Sequence, residues 1–136
     1  MLSDITLSSN DFKKLHQYSG DWSGLSEKLF KHPLEASEKI QKFSSIHSKE
    51  LQEVIECHHE MPDGSGFPRG LDHKRIPLLA SIHIVARHFV EELMKVEFNH
   101  QKRFEIMDNL YKKFNKGHFK SGLFTIYELL SMEKPE

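Results

Sequence analysis

Cysteine is nearly absent. Cys57 is the single thiol in 136 residues, so no internal disulfide can staple the chain. Its place on a helical stretch beside two histidines predicts a packed side chain rather than a nucleophile. An excess of basic residues is missing too: 19 Lys and Arg against 20 Asp and Glu leave a formal net charge of -1. That balance excludes the positive footprint a nucleic-acid polymer needs. Long apolar runs are also lacking. The richest, over residues 76–86, is broken by Ser81 and His83 and falls far short of the about 20 residues of a membrane-spanning helix. The first residues carry no basic region followed by an apolar stretch, so no secretory signal is expected and the chain is expected in the cytoplasm. Internal repeats, low-complexity segments and alternating strand patterns are absent.

What is there is helical periodicity. Apolar residues at 38% and charged residues at 29% suit one soluble domain over 1–136, large enough for a core without staples. Ser9-Asn10-Asp11 reads as a cap for a short helix ending near Tyr18. A loop over 19–24 follows, with Trp22 packing onto the body. Leu25, Leu29 and Phe30 mark a second short helix that ends at His32-Pro33, because proline restricts the residue before it. Pro33 then suits the first position of a third helix, with Leu34, Ile40 and Phe43 inside and residues 44–47 interrupting it.

Ser48 caps the next helix, whose inner stripe of Leu51, Val54, Ile55 and His58 delivers His58 to the core. His59 lies about 100° further round and faces the same pocket. Pro77 opens the longest helix, to about residue 96, with Leu78, Ile82, Val85, Phe89 and Leu93 as its stripe. Leu79, Ile84, Val90 and Met94 fall off that stripe, so this helix is central or lies at an oligomer interface. Amphipathic stretches over 100–114 and 120–132 complete a compact all-α domain of about five to seven helices, and Lys116-Gly117 separates the last two.

The most specified stretch is 57–71, C-H-H-E-M-P-D-G-S-G-F-P-R-G-L. A helix closes in two histidines and a glutamate and gives way to a loop with three glycines and two prolines. Imidazoles at such a junction suit a metal or a phosphate. His58-His59-Glu60, Asp63-Gly64-Ser65-Gly66-Phe67-Pro68 and Gly70-Leu71, followed by Ile76-Pro77, resemble the signature of the HD-GYP family, a branch of the HD phosphohydrolases. The resemblance implies an all-helical fold, a two- or three-metal centre of iron or manganese, and hydrolysis of cyclic di-GMP.

The chain departs from the family's pattern at several places. The family's centre uses an early His and an His-Asp pair, a later His before proline, the His-His pair, and an Asp in a V-A-D-x-F context. His32-Pro33 matches the third element and lies 26 residues before His58, as expected. Arg87 stands at the Asp position, and a guanidinium has no electron pair to give a cation. No His-Asp pair occurs in residues 1–31, which therefore read as divergent N-terminal helices, while 30–130 resemble the C-terminal part of the family's domain. Phe67 replaces the family's tyrosine. The family's phosphate-gripping basic residues are not reproduced in register near Lys95.

These departures predict a degenerate module, with no functional catalytic residues and no cofactor, or iron or manganese if any metal is held. His32, His58 and His59 would be vestigial ligands. Arg87 would pair with Glu60 or Asp63 where a cation once stood. Glu60, Asp63, Gly64, Gly66, Phe67, Pro68 and Gly70 would present a surface to a partner such as a diguanylate cyclase-type domain or to a ligand. A homodimer and binding of cyclic di-GMP are further expectations; a nucleic-acid polymer and a membrane are not. Three other readings stay open: the C-terminal fragment of a metal-dependent cyclic di-GMP phosphodiesterase, a nucleotide sensor without turnover, and a retained mononuclear site on the three histidines.

Overall fold

The computed structural model describes residues 2–18, 22–43, 45 and 48–135. Parts of the expected 19–24 loop and of the 44–47 interruption lie outside these. Six α-helices follow in order: α1 (Ser9–Gln17), α2 (Glu27–Gln41), α3 (Lys49–Cys57), α4 (Leu78–Lys95), α5 (Arg103–Phe114) and α6 (Phe119–Leu129). Single 3-10 turns sit at Leu2–Asp4, Trp22–Gly24 and His100–Lys102. Among the described residues there is no strand, only one isolated bridge between Asp63 and Asp72. The all-α expectation holds.

Serines start the first three helices. Ser8 accepts from the Asp11 amide at 3.2 Å while the Asp11 carboxylate accepts from the Ser8 amide, a reciprocal cap one residue earlier than the sequence suggested. Ser26 and Ser48 accept from the amides of Leu29 and Leu51. Each such cap satisfies a backbone donor the helix leaves free and contributes about 1 kcal/mol.

Three expectations change. One continuous helix, α2, runs through His32 and Pro33, where two helices with a boundary were expected. The bias that proline imposes on its predecessor yields here to packing: His32, Pro33, Ala36, Ser37 and Ile40 are all buried along one face. Phe43, expected inside, lies beyond the end of α2 and is exposed. On α4 the buried positions are Ala80, Ser81, Ile84 and Val85, whereas Leu78 is exposed together with Leu79, Val90 and Met94. The apolar sector is therefore turned from the stripe the spacing suggested.

Helix α4 is central, packing against α3, α5 and α6. A Cβ on Gly122 of α6 would stand 3.2 Å from the Ile82 Cα, so this glycine lets the two backbones approach closely. Met107, Phe114, Phe119 and Leu123 fill the space between α4, α5 and α6 with no exposed surface. Cys57 joins the same core, and burial pushes its thiol up to about 11, as befits a packed side chain. No helix among the described residues is long and apolar enough to cross a membrane.

Candidate metal centre

The proline inside α2 leaves a backbone acceptor without its usual donor. In an α-helix the amide of residue 33 would bond to the carbonyl of residue 29, but Pro33 has no N–H. The imidazole of His32 fills the gap, its Nδ1 lying 2.6 Å from the Leu29 oxygen. At the end of α3 the same solution recurs. His58 is the C-cap, and its Nδ1 lies 2.6 Å from the Ile55 carbonyl, one of the orphan acceptors at the helix end. A carbonyl only accepts, so both rings carry a proton on Nδ1 and turn Nε2 inward.

Those two nitrogens meet. His32 Nε2 and His58 Nε2 are 3.2 Å apart. The separation equals that of two nitrogens on one metal ion, about 3.0–3.4 Å for bonds near 2.1 Å. Asp4, from the first 3-10 turn, places Oδ1 3.8 Å from His32 Nε2 and 3.7 Å from His58 Nε2. His59 completes the group: each of the four residues offers one donor atom, all within 4.8 Å of one another. The His59 Nε2 is buried and has no hydrogen-bond partner.

The electrostatics suit a cation. Burial lowers His32 to about 4 despite its bond to Leu29, so the ring is neutral near pH 7 and its contact with Asp4 is not an ion pair. Burial also holds His59 well below the usual imidazole value, with the charges of His58 and Arg87 adding to the effect. Burial alone would raise the Asp4 carboxyl, but hydrogen bonding and charge from His58 and a bond from Ser3 outweigh it and hold it at about 2. Three imidazoles and one carboxylate are a donor set that iron, manganese or zinc accept.

Asp4 is the residue the sequence did not yield. The family's pattern has an adjacent His-Asp pair, whereas Ser3 stands before Asp4; an aspartate 28 residues ahead of His32 is the available signal. The early segment reaches the centre because the 3-10 turn Leu2–Asp4 packs on α2 and α3, and Thr6 donates to the His32 carbonyl at 3.5 Å.

The glycine loop builds the wall. Buried Glu60 accepts from the amides of Arg69 and Leu71, each at 2.8 Å, clamping the loop across its width, and burial raises its carboxyl. The Phe67 amide donates to the His59 carbonyl at 3.1 Å, and the Phe67 ring stacks on the His59 ring at 4.6 Å. Phe30 and Trp22 cover the other side of Phe67, so Trp22 does pack onto the body. A Cβ at Gly66 would come 2.4 Å from the Met61 nitrogen, and only glycine fits.

Arg87 does not pair with Glu60 or Asp63. Its Nη1 donates to Glu91 on the same helix at 2.6 Å, one turn on, while Glu60 is taken by loop amides and Asp63 accepts from Ser65. Glu91 also faces His16 of α1 at 3.5 Å and His88 at 3.7 Å. Of the loop residues expected to meet a partner, Glu60 and Phe67 are fully buried and cannot; Asp63 is exposed, and Gly64, Gly66, Pro68 and Gly70 are partly so. Two clefts are lined by other residues, one by Arg103, Met107, Tyr127 and Met132, the other by Lys14, Tyr18, Leu25 and Leu29.

No curated protein and no solved structure matches the chain. A family model does, over residues 6–114, a span that takes in α1 through α5 and three of the four clustered residues, and Asp4 lies just outside it. Its description is HD domain, and with that match across most of its length this all-helical chain belongs to the HD-domain family, within the HD phosphohydrolase superfamily.

Proposed function

We propose that this is an HD-type signalling domain built around one metal ion, iron or manganese, and not a two-metal cyclic di-GMP phosphodiesterase. The observation that carries the reading is the 3.2 Å approach of His32 Nε2 and His58 Nε2 with both Nδ1 atoms committed to carbonyls. Two nitrogens that close need a cation or one shared proton between them; His32 is too weakly basic to supply that proton near neutral pH, and an ion bound to both satisfies the pair together with Asp4 and His59. Ser3-Asp4 would then be the family's His-Asp pair with serine in the histidine's place.

A bound ion would cross-link the first turn, α2 and the end of α3, and supply Lewis acidity to whatever ligand reaches it. The chain's own residues fix its surroundings. Leu29 and Ile55 orient two rings, Phe67 holds the third, and Glu60 keeps the loop closed over them. Two-metal hydrolysis requires ions about 3.5–4 Å apart, each with its own donors. One cluster of His and acidic residues stands among the described residues, and position 87, where a further carboxylate is required, is a guanidinium paired with Glu91. This supports a regulatory role in cyclic di-GMP-related signalling, with the exposed part of the loop and the apolar face of α4 as contact surfaces for a cyclase-type partner or a second copy.

The test is metal content by mass spectrometry on protein purified without chelator, with a cyclic di-GMP hydrolysis assay alongside. About one equivalent in the parent, well under half in His58→Ala, and no turnover is the expected result. Two equivalents, or hydrolysis above the His58→Ala background, would restore the phosphodiesterase reading. Less than about 0.1 equivalent would return the site to a metal-free relic.

A further inference from the structure

Helices α4 and α6 end in the same way. The Phe98 amide donates to the Leu93 carbonyl at 2.8 Å and the Glu97 amide to that of Met94 at 3.1 Å; after α6, Met132 donates to Tyr127 at 2.9 Å and Ser131 to Glu128 at 3.0 Å. This pair of bonds closes a helix through a left-handed residue, a place that glycine favours and that Glu97 (φ 50°) and Ser131 (φ 53°) occupy here. The motif commonly seats the next apolar residue against the last turn of its helix. Met132 obeys and packs at the edge of the core. Phe98 does not. Its own φ is 57°, a left-handed value that a bulky residue seldom takes, and it stands 56% exposed. A backbone outlier that holds an aromatic ring out in water points to a use for the ring.

The same end of the molecule holds a hollow that suits it. A cleft of about 460 Å³, within the size range of pockets that bury a ligand, is lined by Arg103, Phe104 and Met107 from α5 and by Leu130 and Met132 from the end of α6. Only residues 99–102 separate Phe98 from Arg103, so the projecting ring and the cleft belong to one surface. The charges match as well. Glu97 adjoins the ring and Arg103 adjoins the cleft, and neither enters an ion pair among the described residues; Arg103 donates to the His100 carbonyl at 3.2 Å and lies over the Phe104 ring. A surface that carries both a projection and a hollow, with an unpaired charge of each sign, is complementary to a second copy of itself.

We propose that two copies of this chain associate about a two-fold axis at this end, Phe98 of each entering the α5–α6 cleft of the other and Glu97 of each pairing with Arg103 of the other. The surface lies at the end of α4 rather than along its face, which sharpens the second-copy reading above, and it does not depend on the ion. Each ring leaves water for the apolar lining of the cleft, and the symmetry doubles the gain. Met94, Phe98, Phe104 and Leu129 are the large exposed apolar side chains at this end. Four such residues are a small patch beside the about 800 Å² per partner of a standard interface, so the association is a reversible one and not a permanent dimer.

The experiment is sedimentation equilibrium over about 1–300 μM protein, with and without EDTA. The parent is expected to pass from monomer to dimer with a dissociation constant on the order of 10 μM in both conditions. Phe98→Asn is expected to stay monomeric throughout and, at low concentration, to melt no lower than the parent, because asparagine accepts a left-handed φ that phenylalanine resists. Glu97→Arg and Arg103→Glu should each weaken association about tenfold, and the chain carrying both should recover it, since the new arginine of each copy meets the new glutamate of the other. A parent that remains monomeric, a dimer that persists in Phe98→Asn, or a double variant no better than the single ones would overturn the proposal. So would a Phe98→Asn monomer that melts well below the parent, which would show the ring packed within its own chain, and a dimer that EDTA dissolves, which would tie association to the ion. Metal content is read separately, so these outcomes leave the metal centre to stand or fall by its own test.

Discussion

The two ends of the molecule are held together by different means. Between α4, α5 and α6 a large buried cluster including Ile84, Met107, Leu110, Phe114, Phe119 and Leu123 closes the interior with apolar side chains. Between α2 and α3 the buried apolar cluster is Ala36, Ile40 and Ile55, and beside Leu29, Pro33 and Phe67 the interior there holds His32, Ser37, His58, His59 and Glu60. Burying polar groups is unfavourable unless each finds a partner. Ser37 finds Glu56, Glu60 finds two loop amides, and His59 Nε2 finds none. One half carries its stability in its own packing; in the other, the proposed metal ion would supply part of it.

Truncation in the apolar half should have the largest effect. Phe119→Ala removes a fully buried ring and is expected to cost about 3–5 kcal/mol in urea unfolding, equally with and without metal. A cost that depends on metal would mean that the halves are not separable in this way.

The second effect belongs to the other half. EDTA should lower the stability of metal-saturated protein by about 2.7 kcal/mol if the free ion had stood at a hundred times its dissociation constant. His58→Ala should melt at the same temperature with or without chelator. Indifference of the parent to EDTA would place α2 and α3 on the same footing as the apolar half.

A third experiment separates the halves by acid. Burial lowers His88 to about 3, with the Arg87 charge helping, and its ring lies against Phe114. A histidine whose folded value is depressed stabilises the fold fully above its unfolded value, near 6.5, and that contribution is lost as pH falls toward the folded value. Between about 6 and 3.5, His88 should contribute up to about 1.4 kcal/mol per pH unit to the decline. His88→Gln should flatten the stability curve of chelated protein over that window, and an unchanged slope would exclude His88 as its source.

The smallest change tests the surface. Lys31 pairs with Glu27 one turn earlier on α2, in full contact with solvent. Lys31→Ala should leave the urea midpoint within error, since exposed pairs contribute little.

How much of this was legible beforehand follows the same division. The all-α class, the Ser48 cap and the delivery of His58 to the interior came from local periodicity, which is a property of a few neighbouring residues. The continuity of α2 through Pro33 did not, because proline's local preference opposes it and only burial of the whole face decides the matter. Asp4 was missed for a related reason. Its part in the centre depends on packing of the first turn against α2 and α3, and no spacing rule connects it to histidines so far along the chain. The partner of Arg87 was misplaced because the nearest acceptor on its own helix, Glu91, was closer than the loop carboxylates.

Pro33 sets a limit on how the centre can be altered. By helix propensity alone, replacing it with alanine should strengthen α2, since it restores the amide that proline lacks. That amide would compete for the Leu29 oxygen and weaken the bond that fixes the His32 ring and its tautomer. The gain in helix and the loss of a fixed donor would come from the same atom. A selection for thermal stability alone would therefore erode the proposed ion site, and a stabilised descendant of this chain that keeps the site should still carry proline at position 33.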